Sequence, residues 1–157
     1  MNVSSPNRVR HSYTQSLIAS PEKFFPLLCP VRELDWARGW NPTMVRSHSG
    51  AAEADCVFTT PGTPDDTIWI ITRHEPKQLR LEMAMVTPRR TVGKLEISLS
   101  GDGDNGTLAE VAYTHTSLGP AGDEFLQGFT HDWYQNFMEE WEAELNHYLS
   151  TGTKLPG

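Results

Sequence analysis

Between Lys94 and Lys154 the chain has no lysine or arginine. The same stretch holds eleven acids (Glu96, Asp102, Asp104, Glu110, Asp123, Glu124, Asp132, Glu139, Glu140, Glu142 and Glu144), whereas residues 1–94 carry twelve bases against nine acids. Nucleic-acid binding needs a basic footprint, and the C-terminal third is the reverse of one, so no nucleic-acid partner is expected. The split fits solvated acidic faces, some of them paired with arginines from the first half. Long apolar runs are missing as well. None approaches the roughly 20 residues that cross a bilayer, so no membrane span is expected. The N-terminal MNVSSPNRVRHS lacks the apolar core of a secretory signal, and a cytoplasmic protein is expected.

Cysteine is scarce: Cys29 and Cys56 stand alone, without a CxxC, and two free thiols are expected in a reducing compartment. The motifs GxSxG, HExxH and GxxxxGK[ST] are absent. The six histidines are scattered, none at ligand spacing from another. No metal site is therefore expected. Asp102-Gly103-Asp104-Asn105-Gly106 superficially looks like a calcium loop, but it lacks the third ligand before the glycine and the closing glutamate. It reads as a hairpin turn.

What is present suits a globular chain. With 157 residues, 38% hydrophobic and 21% charged, it can bury a real core as one domain over 1–157, residues 1–7 being polar and disordered. Residues 8–18 read as a first strand. Ser20-Pro21 opens a short helix, serine at the N-cap and proline at the first helical position, and Pro26 and Pro30 keep it short. A second short helix is expected over Val31–Arg38, stopped by Gly39. Strands follow at Thr43–His48, Asp55–Thr60, Thr67–Glu75, Gln78–Thr87, Thr91–Ser100 and Thr107–Ser117, separated by Gly-, Pro- and Asp-rich turns as in a meander of hairpins. In the fourth of these, Leu79, Leu81, Met83 and Met85 alternate with polar residues. One long amphipathic helix is expected from about Ala121 to Ser150, with Leu126, Phe129, Trp133, Phe137, Trp141, Leu145 and Tyr148 on its apolar face. A seven-stranded sheet needs a partner layer, and this helix is the only candidate. The expected class is α+β: a curved antiparallel sheet wrapped around a long C-terminal helix, with two short helices between strands 1 and 2.

Several stretches, Ser20-Pro21-Glu22-Lys23-Phe24-Phe25, then Cys29-Pro30-Val31-Arg32-Glu33-Leu34-Asp35-Trp36 with Gly39-Trp40, Cys56-Val57-Phe58-Thr59-Thr60, Trp69-Ile70-Ile71-Thr72-Arg73 and Trp141 through Leu149, resemble the START-like helix-grip superfamily (SRPBCC). That group includes polyketide cyclase-like and pollen-allergen-type ligand carriers, and the likeness is to an uncharacterised bacterial subgroup over about residues 8–150. The resemblance implies a cavity for an apolar or amphipathic small molecule and no fixed cofactor or metal. The fold hosts many unrelated activities, so it does not name one.

Five tryptophans (Trp36, Trp40, Trp69, Trp133 and Trp141), with Phe129, Phe137, Met83 and Met85, supply more bulk than sheet–helix packing needs and suit a tolerant pocket wall. An ordinary core would use the same residues. The first strand is polar on both faces; Val9 and Leu17 share the parity of His11, Tyr13 and Gln15, which selects that row to face inward. A solvated edge strand is the alternative. Arg73 can meet Tyr113 and His115 across the interior, where it needs a carboxylate, supplied by Glu140 or Glu144, or a ligand anion. The alternative places those glutamates at a helix end in water. The leading expectation is a non-enzymatic binder of a small apolar or amphipathic, lipid- or polyketide-like metabolite. Its candidate ligand-binding residues are Tyr13, Trp36, Trp40, Trp69, Arg73, Met83, Met85, Tyr113, Phe129, Trp133 and Phe137. The alternatives are a cyclase- or dehydratase-type enzyme moving protons with His11, Tyr13, Tyr113 or His115, and an interaction module that docks its acidic helix. A homodimer is compatible with all three.

Overall fold

The structure is a computed structural model that describes residues 1–103 and 105–157; Asp104, in the expected turn, lies outside the described residues. Alternating side chains build seven strands: β1 (Arg8–Leu17), β2 (Met44–Arg46), β3 (Val57–Thr60), β4 (Thr67–Glu75), β5 (Arg80–Thr87), β6 (Thr91–Asp102) and β7 (Gly106–Ser117). They form one antiparallel sheet in the order β1-β7-β6-β5-β4-β3-β2. From β2 to β7 every strand pairs with its neighbour in sequence, as short turns dictate. Only β1 sits away from its successor, at the opposite edge from β2. The chain between them spans that distance through α1 (Pro21–Phe24), a 3₁₀ turn at Phe25–Leu27 and α2 (Glu33–Trp36). Prolines 26 and 30 hold these helices to about one turn. Ser20 occupies the N-cap with extended backbone but makes no side-chain cap; its carbonyl accepts from Phe24 N–H at 2.9 Å. α2 is shorter than the expected Val31–Arg38.

Period two is clearest on β5, where Leu81, Met83 and Met85 are buried and Arg80 and Glu82 face out. The same inner face carries Ile71 of β4, Leu95, Ile97 and Leu99 of β6, and Ala109 and Val111 of β7. Cys29 and Cys56 are both buried and unbonded to each other.

The expected helix over 121–150 is two helices. α3 (Pro120–Gly128) ends at Phe129, which leaves helical geometry at ψ 62°. Thr130 then opens α4 (His131–Thr151), its hydroxyl accepting from Trp133 N–H at 3.1 Å. The interruption shifts the buried stripe of α4 to Tyr134, Met138, Trp141 and Leu145. Trp133, placed by periodicity on the buried face, is 50% exposed.

α4 packs chiefly against β1. Its seat is polar. Gln15, 1% exposed, donates from Nε2 to the Met138 carbonyl at 3.2 Å. Tyr13 donates to Glu142 at 3.2 Å, and Asn146 joins the backbone of Ser16 and Ile18, each at 3.0 Å. From the helix side, Tyr134 donates to the Val111 carbonyl at 2.6 Å. No helix among the described residues is long and apolar enough to cross a membrane.

Candidate functional site

Because α4 is held along the β1 edge, the inner face of β4–β6 is left without a helix directly above it. The space between is a cavity of about 400 Å³, within the roughly 300–1,000 Å³ of small-molecule sites. All five tryptophans line it. Trp69, Met83, Met85 and Leu95 form the sheet wall, Trp36 and Trp40 come from α2 and the segment after it, and Trp133, Phe137 and Trp141 come from α4. Aromatic contacts bind these walls together: Trp36 stacks on Trp141 at 5.9 Å, and Phe137 of α4 meets Tyr113 of β7 edge-on at 6.0 Å. Trp133 lines the cavity while staying half exposed, so it stands where the cavity meets solvent.

The polar lining is sparse and specific. Tyr113 and His115 project from β7, their rings 6.1 Å apart. His115 is 7% exposed, held edge-on between Phe125 and Phe129, and its Nδ1 has no hydrogen-bond partner among the described residues. It lies over Gly93 of β6, where an added Cβ would come within 2.8 Å of both its Nδ1 and Met85. Desolvation, with Arg90 nearby, pulls its pKa down to about 4, so the ring is neutral at neutral pH. Burial raises the Tyr113 phenol, with the Glu33 carboxyl adding to the effect. Glu33 itself lines the cavity, and loss of hydration pushes it up to about 8. Glu144, 9% exposed, accepts from Arg38 at 3.1 Å through both the backbone N–H and Nε.

Of the residues expected from sequence to contact a ligand, Trp36, Trp40, Trp69, Met83, Met85, Tyr113, Trp133 and Phe137 line the cavity, and so does His115. Four residues fall elsewhere. Arg73 is on the outer face, paired with Glu75 and Glu82 at 2.9 Å each. A β-bulge is the reason: Ile71 pairs with Met83 but Arg73 pairs with Glu82, so Thr72 is skipped and the parity of the strand flips. Glu144 consequently pairs with Arg38, not Arg73. Phe129 is buried behind His115, at the junction of α3 and α4, without lining the cavity. His11 and Tyr13 do share the inward row of β1, but they serve the helix. His11 donates from Nε2 to the Phe129 carbonyl at 2.9 Å and stacks on Tyr134 at 5.6 Å. Neither reaches the cavity.

Sequence reasoning did not place Glu33, Arg90, Phe125 or the threonines 67, 87 and 91 in the lining. The threonines share inward parity with Trp69, Met85 and Leu95, which was a usable signal. Glu33 and Arg90 sit in a helical turn and a hairpin turn, where no periodicity marks the inner side. Among the described residues no group of three His, Cys, Asp or Glu could hold a metal ion.

This architecture is a helix-grip fold, with its seven-stranded antiparallel sheet and long C-terminal helix. Among solved structures the chain is similar to norcoclaurine synthase from Thalictrum flavum, at TM-score 0.68 and 8% identity over 94% of this chain and 89% of that one. It is also similar to Ara h 8.0201, at TM-score 0.64 and 16% identity over 92% and 100%. A protein of unknown function from Staphylococcus aureus gives TM-score 0.68 and 12% identity over 94% and 96%. No family model and no curated protein sequence matches the chain.

Proposed function

We propose that the protein binds a small apolar or amphipathic molecule in the cavity between sheet and α4. The observation that carries this is the lining: all five tryptophans, two methionines and Phe137 converge on about 400 Å³ of space. Side chains of this bulk would close on one another if the chain had evolved only for stability, since well-packed interiors leave few voids larger than a water. Methionine and aromatic walls accept ligands of varied outline. A norcoclaurine synthase of the same fold, 9% identical at TM-score 0.63 over 90% of this chain, has been solved in complex with dopamine and hydroxybenzaldehyde. Small aromatic molecules are therefore compatible with the architecture. An interaction module working through its acidic helix would have no use for such a space. The test is titration with a neutral solvatochromic dye such as Nile red. A blue-shifted, saturable, one-to-one signal that falls on adding an apolar competitor supports the reading, and no saturable signal sinks it.

A second reading, an acid–base enzyme of the cyclase or dehydratase type, draws on Glu33. Its carboxyl, pushed up to about 8, faces the same cavity as Tyr113, and a group poised near neutral pH suits proton transfer. The histidines support it less. His115 has no carboxylate behind its Nδ1, and His11 is committed to a backbone carbonyl.

A further inference from the structure

We infer that the bound molecule carries an anionic head group, in its simplest form a carboxylate, and that Arg90 receives it. This inference rests on the cavity reading above and adds the chemical class of the ligand. Arg90 lies at the β5–β6 turn and lines the cavity, with its guanidinium carbon 4.2 Å from the centre of the Phe125 ring. Its backbone is fixed. Leu118 N–H donates to the Arg90 carbonyl at 2.9 Å, and Gly122 of α3 approaches so closely that a Cβ there would overlap that oxygen.

The charge, in contrast, is unanswered. Among the described residues no carboxylate pairs with Arg90, whereas Arg32, Arg38, Arg73 and Arg89 each have an acid partner, and the other arginines without one (Arg8, Arg10, Arg46 and Arg80) are exposed to water while Arg90 is half-buried. The polar contact of its guanidinium is a long one, Nη2 to the Thr87 hydroxyl at 3.4 Å, and Nε is buried without an acceptor. Desolvation lowers its pKa, but a guanidinium stays charged through the neutral range. A partly buried cation without a counter-charge is costly, and it becomes favourable once an anion arrives with good geometry. The three carboxylates that line the cavity do not fill this role: Glu144 is held by Arg38, Glu33 is pushed toward its neutral form, and Glu140 is exposed on α4 without an ion pair to Arg90 among the described residues. Near Arg90 the wall also offers hydroxyls. Thr67 and Thr87 share a 2.6 Å hydrogen bond, and Thr91 lines the cavity nearby. The site thus pairs an aromatic chamber with one cation that has no acid partner among the described residues, which is the complement of an aryl or alkyl carboxylate.

Calorimetric titration of the full chain with a matched pair, naphthoate and naphthylmethanol, at neutral pH and low salt tests this. The wild type should bind the carboxylate at least about tenfold more tightly than the alcohol, the scale of a charge-assisted hydrogen bond. Arg90→Gln should erase that preference, bringing the two affinities within about twofold of each other, and Arg90→Lys should keep part of it. Equal affinities in the wild type, or a preference that survives in Arg90→Gln, overturns the inference and leaves the cavity reading standing. Failure of both probes to bind also overturns it, and the neutral dye then tells whether the cavity reading falls too. Should Arg90→Gln not fold, the salt dependence in the wild type decides: a preference unmoved by raising the ionic strength overturns the inference.

Discussion

Along β1 the inner face of the sheet meets α4 through groups of fixed length and direction. Gln15 reaches the Met138 carbonyl, Tyr13 reaches Glu142, and Asn146 reaches the β1 backbone. Along β4–β6 the inner row is Trp69, Met83, Met85 and Leu95, which line open space. The same sheet is closed at one flank and hollow at the other. Apolar side chains attract without direction and would draw the helix inward if it were free to move. Hydrogen bonds at the β1 edge set its distance, and breaking the buried one, from Gln15 to the Met138 carbonyl, leaves a buried polar group unpaired. The cavity is therefore a consequence of where the helix is gripped as much as of what lines it.

The sharpest way to break this comparison is to truncate one residue on each flank. Leu145 is 0% exposed in the closed part of α4, so Leu145→Ala should cost about 2–5 kcal/mol, the range for creating a new void. Phe137 is only half-buried and already borders open space, so Phe137→Ala should cost about 1–2 kcal/mol without ligand, less than Leu145→Ala, since part of its surface is wet already and its loss is mainly that of its ring contacts. Urea denaturation of both variants measures the difference. Equal losses would mean that the hollow flank is packed as tightly as the closed one.

Protonation probes the hollow flank next. His115 is depressed to about 4 from 6.5, so the unfolded chain holds more protons between those values and stability falls as pH drops from 6.5 toward 4. The loss should be on the order of 2–3 kcal/mol, complete below about 4, and absent in His115→Gln. Glu33, raised from 4.5 to about 8, has the opposite sign. There the folded chain holds the extra proton, so stability falls as pH rises from 4.5 to 8, and Glu33→Gln should flatten that limb. Thermal melts across pH 4–8 for wild type and both variants separate the two slopes.

Trp133 sharpens the comparison from the ligand's side. Standing half exposed at the cavity, it contributes little to the folded core. Trp133→Ala should leave the urea midpoint nearly unchanged but weaken Nile red binding by more than about 1 kcal/mol, the scale of a lost aromatic contact. Unchanged dye affinity would place the dye outside the cavity.

How much of this was legible in the sequence follows the same division. Local periodicity and turn residues marked the strands, and the crossing of the chain between β1 and β2 followed from the helices inserted there. The inward row of β1 was also readable, from the parity of Val9 and Leu17. Its partner was not, because parity tells which face a residue occupies and not what stands opposite. Tyr13 thus looked like a ligand contact and His11 like a proton-transfer group, while in the fold they meet α3–α4. Periodicity also ran through the break at Phe129–Thr130, since two helices in similar phase look like one until a cap is recognised. Arg90 and Glu33 left no trace at all. Both project from turns, and only the tertiary arrangement makes them neighbours of one cavity.

Arg73 gives the smallest expected effect and a clear separation of inner from outer face. Strict alternation from Trp69 and Ile71 points Arg73 inward, where its loss would disturb any ligand. The bulge at Thr72 sends it outward to Glu75 and Glu82, with its side chain 40% exposed and theirs 38% and 25%. Solvated pairs of this kind contribute roughly 0–1 kcal/mol, and salt weakens them. Arg73→Gln should therefore lower stability by less than about 1 kcal/mol, by still less at high ionic strength, and leave both dye and naphthoate affinities unchanged. Arg90→Gln reverses the pattern by changing naphthoate affinity most. A drop in naphthoate binding in Arg73→Gln would mean that β4 runs without its bulge, and that the cation facing the ligand had been assigned to the wrong turn of the sheet.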